Sequence, residues 1–336
     1  MRCRAATGFS LLELLIALAL SLTLIGGYFS VLQRCRSLFA SNDSVAQTHD
    51  AARHALAVIA ANIEHAGFYG FAPAAAVQLV RDGTVIASEN EMHQPTAERA
   101  ATPVAGLPTG AHDCGVNFAV DLLRPVQGTD NGYSGTGTCE PTASAGGARP
   151  GADTLTLRHA SLEVADARAG RIQLFTRAAS SLPLRLFADG HVPGIRDSSS
   201  EIRDLEVRTY YVANHSVGNP GLPALRVKSL TESHGAAQFR DEEVMPGVED
   251  LQVELGIVDA GDPAALRFIT TESPDAATAR VVAVRVWLRV RSETPDPGYR
   301  DDRTLDYSNA RFTPDAAESR FRRQLVSRTF AVRNHP

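Results

Sequence analysis

One stretch near the N-terminus constrains this chain more than any other. Residues 14–32, LLIALALSLTLIGGYFSVL, carry no charged side chain, and nineteen residues in a helix span roughly 28 Å, close to the hydrocarbon thickness of a bilayer. This predicts one transmembrane helix. Upstream, MRCRAATG brings Arg2 and Arg4, so the positive-inside tendency places the N-terminus in the cytoplasm and the remainder outside, with Arg34 and Arg36 on the far side voting the other way. A cleavable secretory signal has a shorter apolar core, about 7–15 residues, ending in an A-x-A-like site, and none follows Leu24.

Composition says what the rest is not. At 336 residues, 44% hydrophobic, 21% charged and net charge -5, the chain is neither a multi-span membrane protein nor disordered. A pI near 6.1 with no basic run lacks the electrostatic footprint of a nucleic-acid binder, so no nucleic-acid partner is expected.

Glu13 breaks the apolar pattern. A carboxylate at the edge of a membrane helix costs on the order of 2–3 kcal/mol unless something compensates it. Ser10-Leu-Leu-Glu13 has the spacing of a capping box, in which hydroxyl and carboxylate satisfy free amides at a helix start. The other reading needs the peptide before Phe9 removed, which exposes an α-amino group that can partner the carboxylate of a neighbouring copy.

Gly8-Phe9-Ser10-Leu11-Leu12-Glu13-Leu14, after a short basic leader and before an apolar helix, resembles the cleavage and methylation signature of type IV prepilins. The resemblance implies cleavage between Gly8 and Phe9 by a prepilin peptidase, N-methylation of Phe9, and pairing of Glu13 with the N-terminus of an adjacent subunit. On that reading residues 1–8 are a leader, 9–66 a transmembrane and assembly helix, and 67–336 a periplasmic head.

Beyond the membrane, Val45, Ala52, Leu56, Ile59, Ile63 and Ala66 recur at helical spacing while Asp43, Gln47, Asp50 and Glu64 fall elsewhere. The pattern predicts one amphipathic continuation ending at Gly67, with Gly26 and Gly27 able to bend it. His49 and His54, five apart, fall on different faces and are expected to be solvated. After Gly67 the period becomes two. In Arg280–Arg291, Val282, Val284, Val286, Leu288 and Val290 share a face predicted to be core, and Arg285, Arg289 and Arg291 share one predicted to be wet. Weaker strand patterns occupy 153–158, 171–176, 204–212, 224–230, 251–258 and 325–333. The expected class is α+β: a long N-terminal helix on an antiparallel sheet, pilin-like, with an enlarged β-rich head. The weakly patterned stretch from Pro125 to Gly151, with seven glycines, reads as a surface excursion. Cys114 and Cys139 bracket 24 residues around it, and in an oxidising periplasm they are expected to form a disulfide; Cys3 would leave with the leader and Cys35 stays odd.

Further segments narrow the resemblance. Ile63-Glu-His-Ala-Gly-Phe-Tyr-Gly70, Gly151-Ala-Asp-Thr-Leu-Thr-Leu157, Met245-Pro-Gly-Val-Glu-Asp-Leu-Gln-Val-Glu254, Val281-Val-Ala-Val-Arg-Val286 and Phe330-Ala-Val-Arg-Asn334 are similar to the PilW family of type IV pilus minor pilins. Relatives commonly carry a Cys where Phe71 stands here, so a disulfide from the helix end is not expected. The resemblance implies a minor pilin that helps prime pilus assembly, located in the tip complex. It implies a single-pass inner-membrane protein with a periplasmic C-terminal domain, later carried onto the cell surface in the pilus. Its partners would be other minor pilins, the major pilin, the prepilin peptidase, the inner-membrane assembly machinery and a large tip-associated protein.

The rival readings are a J-type pseudopilin of type II secretion and, further off, a membrane-anchored periplasmic enzyme or binding protein. No H-E-x-x-H, G-x-S-x-G, paired C-x-x-C or P-loop spacing occurs, and His112-Asp113-Cys114 lacks a spaced partner, so neither catalysis, cofactor nor metal site is expected. Asp259-Ala-Gly-Asp262 has carboxylates that suit Ca²⁺ but too few donors at fixed spacing, and reads as a hairpin turn.

Overall fold

The computed structural model describes residues 10–71, 76–93, 102–133, 135–178, 182–259, 262–277 and 279–334. Helix α1 (Leu11–His65) is continuous through Gly26 and Gly27 and, at about 1.5 Å per residue, is roughly 80 Å long. Ser10 caps it, its Oγ accepting the Glu13 N–H at 3.2 Å. The helix stops where expected. Gly67 adopts φ +81, its N–H turns away to the Arg158 carbonyl, and a Cβ there would lie 1.7 Å from the Asn334 carbonyl oxygen.

Nine strands form the larger sheet: β1 (Val77–Arg81), β2 (Thr84–Ser88), β3 (Val126–Thr129), β4 (Thr154–Ala160), β5 (Ala169–Arg177), β6 (Leu184–Asp189), β7 (Ser200–Ala213), β8 (Ala224–Ser233) and β9 (Ala236–Pro246). β7 is its spine, pairing with β5 through residues 200–204, β4 through 205–210 and β8 through 208–213. A second sheet has the order β11-β10-β12-β15, built from β10 (Val248–Asp259), β11 (Asp262–Thr270), β12 (Arg280–Arg291) and β15 (Arg323–Ala331). Between β12 and β15 the chain makes a small hairpin, β13 (Leu305–Tyr307) with β14 (Ala310–Phe312).

The distal half of α1 lies in a core shared by both sheets. Ala52, Ala55, Leu56, Ile59, Ile63 and Ala66 pack with Leu155, Leu157, Tyr210 and Val212 of the first sheet and Val253, Leu255, Val284 and Val286 of the second. A second core lies on the other face of the larger sheet, where Leu174, Leu186, Leu205 and Val207 meet Ala111, Phe118 and Leu122 of the segment before β3.

Three expectations need correction. Val45 is exposed, so the buried stripe starts with Thr48 and Ala52. The stretch from Pro125 to Gly151 is no mere surface excursion: it contributes β3, and Cys139 and Ala145 in it are buried. The arginine face of β12 is not uniformly wet. Arg289 and Arg291 are buried beneath Tyr307, Phe312 and Phe321, with Phe312 3.6 Å from the Arg289 guanidinium. His49 and His54 are exposed as expected, His49 meeting the Gln324 amide at 2.9 Å. β10 and β11 pair up to Asp259 and Asp262 as a hairpin requires, and the two residues between them lie outside the described residues.

Candidate assembly site

From Leu11 to Val31 α1 is bare. Leu11, Leu14, Leu15, Ile16, Leu18, Leu22, Leu24, Ile25 and Phe29 are all more than half exposed. An apolar helix surface tolerates an apolar surrounding only if its polar atoms are satisfied internally. The hydroxyls meet that demand: Ser21 donates to the Ala17 carbonyl at 2.7 Å, Thr23 to Leu20 at 2.8 Å and Ser30 to Gly27 at 2.9 Å. This is the one described helix long and apolar enough to cross a membrane.

Glu13 stands out on this surface. Ser10 provides the hydroxyl half of a capping box, yet among the described residues the Glu13 carboxylate has no partner. Gly8 and Phe9, the residues expected to flank the cut and carry the methyl group, lie outside the described residues. Cys35 is a free, exposed thiol farther along the helix.

Behind the bare half, the segments singled out by sequence converge into one frame. Gly67 abuts Asn334, whose side chain donates to the Glu64 carbonyl, while Arg333 pairs with Glu64 at 3.0 Å. A Cβ on Gly70 would lie 2.5 Å from Glu201 Oε1, and Tyr69 is buried with its hydroxyl on the Leu122 carbonyl. Asp153 ties the two sheets together. Its N–H donates to the Leu251 carbonyl, and its two carboxylate oxygens accept from Asn131 and Val253, each at 2.8 Å. Burial pushes its carboxyl up to about 7 despite those two N–H bonds, and Asp130 and Asp250 add to the rise.

The Glu249-Asp250 pair has an electrostatic role. Glu249 is buried and receives Arg289 Nε at 3.0 Å, Arg323 Nε at 2.8 Å and Arg323 Nη2 at 3.0 Å. Burial pushes its carboxyl up, but those hydrogen bonds and charges reverse the effect and hold it below the ordinary glutamate value. Asp250 takes Arg289 Nη1 and the Tyr307 hydroxyl. Gly247, at φ +81, lets this strand approach the Arg291 carbonyl.

The expected disulfide joins Cys114 and Cys139, with Cα atoms 5.2 Å apart. It clamps the segment over the second core, where Thr138 N–H donates to Asp113 at 2.9 Å. His112 accepts the Asn117 N–H at 3.0 Å, so His112, Asp113 and Cys114 all serve that clamp. A groove of about 760 Å³ runs between the last turn of α1 and the loop after β4. Two ion pairs lie within it, Arg168 with Asp204 at 2.6 Å and Arg208 with Glu206 at 2.9 Å. The fold also gathers a group the sequence did not reveal, Asp82, Asp189 and His191, with donor atoms spaced for a metal ion.

Comparison with known proteins bears on both ends of the molecule. The prokaryotic N-terminal methylation motif matches residues 3–29, and the family model of type IV pilus-assembly protein W, PilW, matches residues 209–334. The chain carries a prepilin-type methylation motif at one end and a PilW domain at the other, consistent with a PilW-family type IV pilin. A search of curated proteins found no match. Among solved structures a type IV-like pilin from Thermus thermophilus aligns at 16% identity over 55% of this chain and 79% of its own, with a TM-score of 0.26.

The PilW match begins within β7 and ends at the residue that seals Gly67. It therefore takes in β8 to β15, including the Glu249 network and the C-terminal contacts on α1. The first strands, the disulfide and the Asp82 group lie outside it.

Proposed function

We propose that this PilW-family chain is a minor pilin of the type IV pilus. In this reading a prepilin peptidase cuts between Gly8 and Phe9 and methylates the Phe9 amine. The mature chain waits in the inner membrane as a single-pass protein with its head in the periplasm. It then joins other minor pilins in the complex that primes assembly and caps the tip, beside the major pilin, the inner-membrane machinery and a large tip-associated protein. Its role is structural, with no catalytic step of its own.

The observation that carries this reading is one uninterrupted helix whose distal half is sealed in the head and whose proximal half is bare. Lipid is as apolar as the helix, so leaving it for a filament gains little from burial, and packing plus a specific polar pair must supply the preference. Glu13, exposed and without a described partner, is suited to receive a neighbouring subunit's α-amino group. The bulk of the two-sheet head favours a tip over a repeatedly packed shaft.

Mass spectrometry of the chain from cells with a prepilin peptidase should find residues 1–8 missing and Phe9 methylated. Glu13→Ala should be processed normally yet fail to co-purify with the other minor pilins. An intact leader would overturn the proposal, and normal incorporation of Glu13→Ala would leave Glu13 a capping residue only. Co-purification with type II secretion pseudopilins instead would replace this reading with its closest rival.

A further inference from the structure

The one parallel pair among the described strands places two turns side by side. β1 and β6 run in register from Val77 opposite Leu184 to Leu79 opposite Leu186, so both leave the sheet at the same end. β1 turns at Asp82-Gly83 and β6 at Gly190-His191. Asp189 braces both turns. Its Oδ2 accepts the Asp82 N–H at 2.7 Å and its Oδ1 the His191 N–H at 2.9 Å. The side chains of Asp82 and His191 converge on the same point, and one donor atom from each of the three residues lies within 4.8 Å of the others.

The distances at this cluster are longer than those of a closed hydrogen bond. An imidazole held by a carboxylate closes to hydrogen-bond length, as His93 does with Asp121 at 2.7 Å. His191 Nδ1 instead stands 3.4 Å from Asp82 Oδ1 and 3.6 Å from Asp189 Oδ2, outside the roughly 2.7–3.2 Å of N–H···O bonds. Donors bound tetrahedrally to one zinc ion at about 2.0–2.2 Å lie roughly 3.4 Å from each other, close to the 3.4 and 3.6 Å from His191 Nδ1 to the two carboxylates. Each Asp189 oxygen spends one lone pair on an amide and keeps another for a cation. One imidazole nitrogen and two carboxylate oxygens suit a borderline divalent ion, and are too few for Ca²⁺, which takes about 6–8 oxygens.

We propose that Asp82, Asp189 and His191 form a zinc site, with water in the fourth position. The side chains of Asp82 and His191 are 71% and 70% exposed, so the ion has an open path in and the fourth position faces solvent. Bound there, it fastens the β1–β2 hairpin, the edge of the nine-stranded sheet, to the end of β6.

The test uses the full chain in detergent micelles, with Zn²⁺ by calorimetry and Co²⁺ as a spectroscopic stand-in. The unaltered chain should take up one equivalent of Zn²⁺ saturably, give the visible bands of tetrahedral Co²⁺, and show slower amide exchange over residues 77–88 when zinc is added. His191→Ala and Asp82→Asn should each weaken binding at least about tenfold, since even outer-shell changes cost ~10–100-fold. Neither variant removes the Asp189 braces, and asparagine tolerates the left-handed backbone of Asp82, φ +48. His234→Ala, on a separate exposed turn, should bind like the unaltered chain. Equal affinity and stoichiometry in His191→Ala would overturn the proposal, as would no saturable Zn²⁺ uptake by the unaltered chain.

Discussion

Helix α1 lives in two environments. Ala52, Ala55, Leu56, Ile59, Ile63 and Ala66 are sealed between two sheets, whereas from Leu11 to Leu24 the same kinds of side chain are exposed. Leu18 is 51% exposed and Ile59 is 0%. Propensity does not separate them, because both halves are good helix. What differs is the partner: the distal half finds its partner inside the chain, and the proximal half must find one outside it. Burial in the chain marks the half that holds the head together, and on the proposed function exposure marks the half that assembles.

The sharpest way to break this comparison is to hollow out the distal half. Ile59→Ala removes a fully buried side chain from the shared core and should cost about 2–5 kcal/mol. Chemical denaturation of the full chain in micelles, followed by the fluorescence of Trp287, the one tryptophan, would measure it. A cost near zero would mean that the socket does not hold the helix.

That socket depends on the joint between the sheets, so Asp153 gives the next effect. In Asp153→Asn a single carbonyl oxygen replaces two acceptors, leaving the N–H of Asn131 or Val253 unsatisfied at a cost of about 1–3 kcal/mol. The pH dependence has a definite sign. The folded carboxyl keeps its proton up to about 7, while the unfolded one releases it near the model-peptide value of 3.8. Between those values the folded state binds the extra proton, so this group's contribution makes stability fall as pH rises, and the loss is complete above the folded value. Denaturation midpoints compared at mildly acidic and mildly basic pH should show that fall in the unaltered chain and a flatter profile in Asp153→Asn. Equal slopes would remove Asp153 as the titrating joint.

How much of this could be read in the sequence depended on where each partner sits. The bare helix, its stop at Gly67 and the strand Arg280–Arg291 were legible because each carries its own periodicity, a charge-free run or a clean alternation. β9 was not: it pairs with β8 through Arg226 to Asp241 at 3.2 Å and Arg226 to Glu243 at 3.3 Å, so ion pairs replace the apolar alternation that marks a strand. Arg289 was read as wet because its acceptor Glu249 and its cover Phe312 lie far along the chain. The Cys114–Cys139 bridge was legible from two cysteines and a compartment. The Asp82, Asp189 and His191 group was invisible, since only the parallel pairing of β1 with β6 brings a turn before Thr84 beside one after Leu184. Glu13 was legible as an anomaly, and its partner is in no part of the described chain.

The smallest expected effect is the one that tests the bare half. Leu18→Ala trims a side chain that touches no part of the head, so the Trp287 denaturation midpoint should stay within about 0.5 kcal/mol of the unaltered chain. Lipid fills whatever volume the side chain vacates, so storage in the membrane should be equally indifferent. A packed helical bundle cannot fill it so freely, because a void there forfeits contacts on every facing side chain. On the proposed function, incorporation should therefore drop while stability does not, measured as the fraction of chain that co-purifies with minor pilins. If the denaturation midpoint moves as far as it does in Ile59→Ala, the proximal half is part of the head's own fold and the division of α1 fails. If neither quantity moves, Leu18 faces away from the bundle, and repeating the substitution at Leu14, Leu15 and Leu22 will locate the face that packs.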